Sequence, residues 1–97
     1  MKLRLAGLAK KGVRRNWSYY EVQRRGLGDE FLDELTSAIH DLKGFPYAWP
    51  EFDRGTRRLI MRQFPYAVVY RIDDAGILVI VVGHTARGTA FWSRRIK

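Results

Sequence analysis

The chain has 97 residues, no cysteine and a formal net charge of +8, and 46% of its residues are apolar. This length fits one domain, residues 1–97, with a single modest core, and the apolar content excludes a disordered chain. Without cysteine there are no disulfides and no thiolate zinc sites, and since His40 and His84 are the only histidines we expect no metal. The sequence has no phosphate-binding glycine loop, and we expect no cofactor.

The first quarter of the chain predicts a short strand and then a helix. Residues 2–6 alternate between polar and apolar side chains, which indicates a strand. A helical apolar repeat follows and ends near Arg25; its members are Ala9, Val13, Trp17 and Tyr20.

A second helix is predicted after the break at Gly26-Leu27-Gly28. Acidic residues at 29 and 30 suit its positive N-terminal end, and Gly44 and Pro46 end it. Its polar face, with further acids at 33 and 34, is expected to be solvated. Since only three residues separate the two helices, we expect an antiparallel helical hairpin. The apolar stripe of the second helix consists of Phe31, Leu32, Leu35, Ala38, Ile39 and Leu42.

Three strands are predicted in the second half, at about 57–63, 66–72 and 77–82. A loop over residues 45–55 precedes them, and its aromatic side chains are expected on the core. The last strand is apolar at every position, which indicates a central strand buried on both faces. The order β-αα-βββ therefore predicts an α+β fold, a helical hairpin packed on a small, mostly antiparallel sheet.

Charge divides the chain into three blocks. Residues 1–28 carry eight basic residues against one acid, residues 29–53 carry seven acids against one lysine, and residues 54–97 carry nine basic residues against two acids. A basic body with one acidic helix predicts an anionic partner, which could be nucleic acid, an acidic protein segment or an acidic pocket. No apolar run is long enough to span a membrane, and a charge interrupts the N-terminal apolar residues. We therefore expect a cytoplasmic protein with no membrane partner.

Basic residues form the strongest candidate site. One group enters or lies along the first of the three strands, and a second group follows the last strand and is interleaved with aromatic residues. If the sheet brings the groups together, they suit phosphate contacts with base stacking, or an acidic protein surface. His84, at the end of the last strand, is either a proton-transfer group or a structural hydrogen-bond partner. The groups are Arg54, Arg57, Arg58 and Arg62, and Arg87, Phe91, Trp92, Arg94 and Arg95.

Over essentially its whole length the sequence resembles the RelE/ParE superfamily of type II toxin–antitoxin toxins. The resemblance implies a small toxin that halts growth until a cognate antitoxin wraps it, with part of the antitoxin covering the hairpin and the sheet. The matching pieces are WSYYE at 17–21, GLGDEF at 26–31, Phe45-Pro46 with Pro50, Arg57-Arg58, FPYAVVYR at 64–71, and His84, Arg87, Phe91-Trp92 and Arg94.

The family divides by target. The Gly-Leu-Gly and Phe-Pro-Tyr segments are closer to ParE-like members, which inhibit DNA gyrase and need no nuclease site. For a ParE-like toxin we expect target binding through Arg62, Arg87, Phe91, Trp92 and Arg94. We expect the acidic segment of the antitoxin to bind an apolar groove that includes Val13, Trp17 and Leu32.

The alternative is a RelE-like, ribosome-dependent mRNA endoribonuclease, whose members commonly use a C-terminal tyrosine in proton transfer. Phe91 stands where that tyrosine is expected and has no hydroxyl, so another group would have to replace it. The catalytic residues would then be Arg57, Arg58, Arg62, His84 and Arg87. A third hypothesis, that the chain is a non-toxic basic module that binds nucleic acid, depends on its charge alone.

Overall fold

The computed structural model describes residues 2–51 and 53–86 and contains two helices and four strands. The α+β prediction is confirmed, with every element in the expected order. The bounds differ from the sequence-based ones by a few residues at most. The elements are β1 (Leu3–Leu5), α1 (Gly7–Gln23), α2 (Leu27–Gly44), β2 (Thr56–Ile60), β3 (Tyr66–Asp73) and β4 (Gly76–His84).

The turn between α1 and α2 is held by side chains as well as by the backbone. The Glu21 carboxylate accepts hydrogen bonds of 3.0–3.1 Å from the backbone N–H groups of Gly26 and Gly28. The indole Nε1 of Trp17 donates to Asp29 Oδ1 at 3.0 Å. The Glu21 contacts satisfy backbone donors that the N-terminus of α2 would otherwise leave without an intrahelical partner, and the Trp17 contact joins the side chains of the two helices. They therefore fix the angle at which the two helices meet.

The four strands form one sheet in the order β1-β4-β3-β2. β2, β3 and β4 are antiparallel neighbours, whereas β1 pairs in parallel with β4, from Leu3 opposite Ile77 to Leu5 opposite Val79. The short first strand thus extends the sheet beyond β4, which becomes a central strand as its apolar run predicts. A register shift in the β3–β4 ladder between Val69 and Tyr70 leaves Ile80 without a partner on β3. This irregularity is a β-bulge, which increases the local twist.

The main core lies between the helical hairpin and one face of the sheet. Tyr70, Phe31, Leu42 and Ile77 are its largest fully buried members. Burying a side chain of this size contributes about 1.5–3 kcal/mol relative to leaving it in water. The Tyr70 hydroxyl donates to the backbone oxygen of Pro46 at 2.7 Å, and burial raises the pKa of this tyrosine. This bond ties the loop after α2 to the centre of the sheet.

The prediction that the aromatic side chains of the loop lie on the core is only partly correct. Trp49 is half-buried and packs against the core, but Phe45 is 71% exposed and Tyr47 is 64% exposed. Pro46, which lies between Phe45 and Tyr47, is the residue whose carbonyl oxygen bonds to Tyr70, and Tyr47 is placed beside the Arg57 guanidinium rather than on the core. The loop therefore places two large aromatic rings on the surface.

An ion pair between β1 and the end of β3 makes stability depend on acid pH. Arg4 Nη2 donates to both carboxylate oxygens of Asp73 at 2.9 Å, and this hydrogen bond lowers the pKa of Asp73 from its usual 3.8. Because the folded-state pKa is the lower one, the stabilisation is complete above the unfolded value and is lost as pH falls through the folded value.

We expect Asp73→Asn to lower the melting temperature at pH 6, and the difference from the wild type to shrink below about pH 4. Thermal unfolding from pH 7 to pH 2 measures this. Arg4→Met should remove the part of this pH dependence that the ion pair contributes and leave the part due to the backbone N–H groups of Ala75 and Gly76. A constant difference between Asp73→Asn and the wild type down to pH 2 would contradict the assignment.

Candidate functional site

A groove of about 610 Å³ lies between α1 and the C-terminal half of β4, and it is called the α1–β4 groove below. One face of α1 forms its first wall, and the end of β4 with Tyr66 forms the second. The lining residues are Leu8, Lys11, Gly12, Arg15, Asn16, Tyr19, Tyr20, Gln23, Tyr66, Val81, Val82, Gly83, His84 and Ala86.

The α1–β4 groove follows from the shortness of β1. The parallel ladder ends at Val79, whose carbonyl oxygen accepts from the N–H of Ala6, and beyond this point α1 rather than a strand lies beside β4. The approach is close, since a Cβ at Gly12 would lie 2.9 Å from the carbonyl oxygen of Val82. Gly12, which weakens the helix by its propensity, is therefore required for the packing of α1 on β4.

The rim of the α1–β4 groove is cationic and its walls are aromatic. Lys11 and Arg15 are exposed, and none of the described residues that line the groove is acidic. Leu8 and Tyr19, 43% and 58% exposed, add apolar surface at the mouth. Such a combination of cations and exposed apolar rings suits an anionic partner with apolar side chains.

His84 ends the second wall of the α1–β4 groove. Its Nδ1 accepts the backbone N–H of Ala86 at 3.0 Å, and its ring contacts the Tyr66 ring edge-on at a centroid distance of 5.2 Å. An accepting Nδ1 places the proton of the neutral ring on Nε2. His84 is thus held by a structural hydrogen bond and offers one N–H donor.

The candidate nuclease residues do not share one site within residues 2–51 and 53–86. Arg57 Nη1 donates to the Trp49 carbonyl oxygen at 2.6 Å, and its guanidinium lies 5.2 Å from the centre of the Tyr47 ring. Arg58 lies on the opposite face of the sheet from Arg57, because it pairs with Val69 of the second apolar cluster, whereas Arg57 pairs with Tyr70 of the main core. Arg62 lies in the turn after β2 and lines a different groove from His84. Arg87 lies outside the described residues.

The target-binding prediction falls mostly on residues that the structure does not describe. Arg87, Phe91, Trp92 and Arg94 all lie beyond residue 86. Arg62 is exposed in the turn between β2 and β3.

The three predicted antitoxin contacts lie on the helical hairpin and are half-buried. Val13 and Leu32 pack against the main core. The Trp17 indole lies against Gly28 as well as bonding to Asp29, so it also has a structural role in the turn. None of the three lines either of the two grooves described here.

A second groove, of about 590 Å³, lies between α2 and β2 and is called the α2–β2 groove. It is lined by both acidic and apolar side chains, and the sequence pattern did not predict a groove at this place. The signal that could have indicated this groove is the i, i+3, i+4 spacing of Glu30, Asp33 and Glu34, which places three acids on one side of α2. It is lined by Glu30, Asp33, Glu34, Ser37, Ala38, Asp41, Trp49, Leu59, Ile60, Met61, Arg62 and Gln63.

Glu34 holds the turn that carries Arg62. Its carboxylate accepts backbone N–H groups of Arg62, Gln63 and Phe64 at 2.8–3.1 Å. Three consecutive N–H groups that converge on one carboxylate form an anion-binding nest, filled here from within the chain. This acid is therefore not part of a solvated helix face, and it fixes the backbone on which Arg62 is displayed.

Neither a metal centre nor a membrane span is found in the part of the chain that the structure describes. No three side chains of histidine, aspartate or glutamate there are grouped to hold a metal ion. No helix there is both long and apolar enough to cross a bilayer.

Comparisons with known proteins agree with this architecture. The structure described as "Chromosomal ParDE TA system from P. aeruginosa" is similar, with a TM-score of 0.67 and 16% identity, covering 87% of this chain and 95% of that chain. At this identity the likeness shows the fold. No curated protein matches the sequence. The family model of the ParE toxin of type II toxin–antitoxin system, parDE, matches residues 3–88. Since that match spans most of the sequence, the chain belongs to the ParE toxin family of type II toxin–antitoxin systems.

Proposed function

We propose that this chain is a growth-inhibiting toxin that acts by binding DNA gyrase, and that a cognate antitoxin neutralises it. The observation that carries the choice of a binding inhibitor over a nuclease is the separation of Arg57, Arg58, Arg62 and His84. Phosphodiester cleavage needs its acid, base and charge-stabilising groups around one phosphate. An inhibitor needs only a complementary surface.

Target binding is proposed to use Arg62 together with Arg87, Phe91, Trp92 and Arg94. Arginine and aromatic side chains are the residues most enriched at protein–protein hot spots. The net charge of +8 would speed the encounter with an anionic target through long-range attraction.

A supercoiling assay with purified gyrase and relaxed plasmid tests the proposal. We expect added toxin to abolish supercoiling and equimolar antitoxin to restore it. Supercoiling that stays unchanged at high toxin concentration would overturn gyrase binding. Primer extension on translated mRNA belongs beside it, since new cleavages within codons would establish the nuclease instead.

The antitoxin is proposed to lie over the hairpin at Val13, Trp17 and Leu32 and to continue along the α1–β4 groove. The groove supports this path because its rim is cationic and its mouth exposes apolar side chains. An acidic segment with apolar side chains would meet both features. It would neutralise part of the charge that attracts the target.

Two double variants of α1 test the path with a matched control. Lys11→Glu/Arg15→Glu reverses two charges that line the groove, whereas Lys10→Glu/Arg14→Glu reverses two charges on the same helix at the same spacing outside it. We expect the first variant to weaken antitoxin binding about tenfold and the second to weaken it about twofold, at 150 mM salt. Isothermal titration calorimetry with the cognate antitoxin measures both. Equal losses in the two variants would place the antitoxin elsewhere.

A further inference from the structure

The α2–β2 groove carries negative charge that the described residues do not neutralise. Four carboxylates line it against one cation, Arg62. Glu30 is paired with Arg24 at 2.9 Å, and Glu34 is engaged by the turn after β2. Within residues 2–51 and 53–86, neither Asp33 nor Asp41 has an ion pair or a side-chain hydrogen bond. Two carboxylates are thus available to a ligand.

The floor of the same groove is apolar. Leu59 and Met61 are buried, and Trp49 is half-buried. Ile60 is 49% exposed although it lies in a strand. The loop that places Trp49 in the groove also exposes Phe45 and Tyr47. Lysine and arginine side chains combine an apolar stem with a cationic end, so they suit carboxylates set beside aromatic and aliphatic surface.

We propose that the α2–β2 groove binds a lysine- or arginine-rich extended segment of a partner protein. Asp33 and Asp41 are eight residues apart on α2, which corresponds to about 12 Å along the helix axis. An extended chain covers about 13 Å in four residues, so basic side chains at positions i and i+4 reach both carboxylates. The residues between them would lie over Trp49 and the edge strand β2.

The charge of the groove selects a protein segment over nucleic acid. A phosphate backbone would be repelled by Asp33 and Asp41, whereas the α1–β4 groove offers cations, and none of its described lining residues is acidic. The net charge of +8 repels a basic segment at long range. At physiological salt this repulsion is screened beyond about 8 Å, so the carboxylates within the groove dominate a bound segment. The α2–β2 groove shares Arg62 with the residues proposed to bind gyrase, but binding of a basic segment there does not require the action on gyrase.

A labelled peptide tests this site directly. The probe is a fluorescein-labelled nonapeptide with lysines at positions 1, 5 and 9 and valine and glycine between them, titrated with the full-length protein and followed by anisotropy. We expect saturable binding that weakens with salt, and about a fivefold to tenfold loss in Asp33→Asn/Asp41→Asn. Asp74→Asn, in the exposed β3–β4 turn, is the control and should bind as the wild type does.

Three results would overturn the proposal. One is equal binding by the wild type and Asp33→Asn/Asp41→Asn, with both shown to be folded by circular dichroism. Another is equal binding of a peptide in which glutamate replaces each lysine. The third is wild-type self-association in sedimentation analysis that Asp33→Asn/Asp41→Asn abolishes, because the occupant would then be a second copy of this chain.

Discussion

Replacing Glu34 with alanine is expected to lower the free energy of unfolding by about 3 kcal/mol, an effect far above that of an ordinary surface change. The carboxylate accepts from three consecutive backbone N–H groups, those of Arg62, Gln63 and Phe64. Phe64 is itself in the core and contacts Tyr20 and Phe31. Losing the carboxylate therefore loosens both the turn and the aromatic cluster beneath it.

Asp33 provides the matched control for Glu34. It is the preceding acid on the same helix and has no ion pair or side-chain hydrogen bond within the described residues. Asp33→Ala should stay within about 0.5 kcal/mol of the wild type. Glu34→Gln should lose about half as much as Glu34→Ala, because the amide keeps one acceptor oxygen. Urea unfolding followed by tryptophan fluorescence measures all three, and equal stabilities of Glu34→Ala and Asp33→Ala would refute the role.

The acids of α2 show where a periodic pattern stops being informative. The pattern correctly placed the buried stripe of Phe31, Leu35 and Leu42, because burial requires apolar side chains at helical spacing. It could not distinguish Asp33, which faces solvent, from Glu34, which binds a turn nearly thirty residues later in the chain. That distinction depends on tertiary contacts, which no local window contains.

Of the strand pairings, likewise, one could be predicted from the sequence and another could not. The antiparallel pairing of the last two strands was predictable, because four residues between two apolar runs can only form a hairpin. The parallel pairing of β1 with β4 was not, since it depends on how the intervening hairpin packs. The α1–β4 groove follows directly from that pairing and from the shortness of β1. The sequence could therefore suggest His84 as a candidate residue, but not that Lys11 lies in the same groove.

The charge blocks acquire a spatial meaning in the fold. The basic residues of α1 rim one groove, and the acidic residues of α2 rim another on the far side of the hairpin. A chain of net charge +8 thus presents two surfaces of opposite local sign. This arrangement allows an acidic segment and a basic segment to bind at the same time without competing.

Gly28→Ala is the second substitution with a large expected effect, about 3 kcal/mol of lost stability. A Cβ at this position would lie 2.8 Å from Cδ1 and Nε1 of the Trp17 indole, and 2.8 Å from the Trp17 backbone oxygen. Rotating the indole relieves the first two contacts but breaks its bond to Asp29. The backbone contact remains, so α1 and α2 must move apart.

A double-mutant cycle separates the two parts of this cost. In a Trp17→Ala background the side-chain contact is gone, and Gly28→Ala should still cost about 1 kcal/mol because of the Trp17 backbone oxygen. Gly7→Ala is the control, since a Cβ there meets nothing within 4 Å, and it should leave stability unchanged or slightly higher. If Gly28→Ala were neutral in the Trp17→Ala background, the whole cost of the added Cβ would come from the Trp17 indole, and the predicted clash with the Trp17 backbone oxygen would be wrong. Because replacing Trp17 removes its bond to Asp29 in either case, the cationic rim of the α1–β4 groove is the better place to probe antitoxin binding.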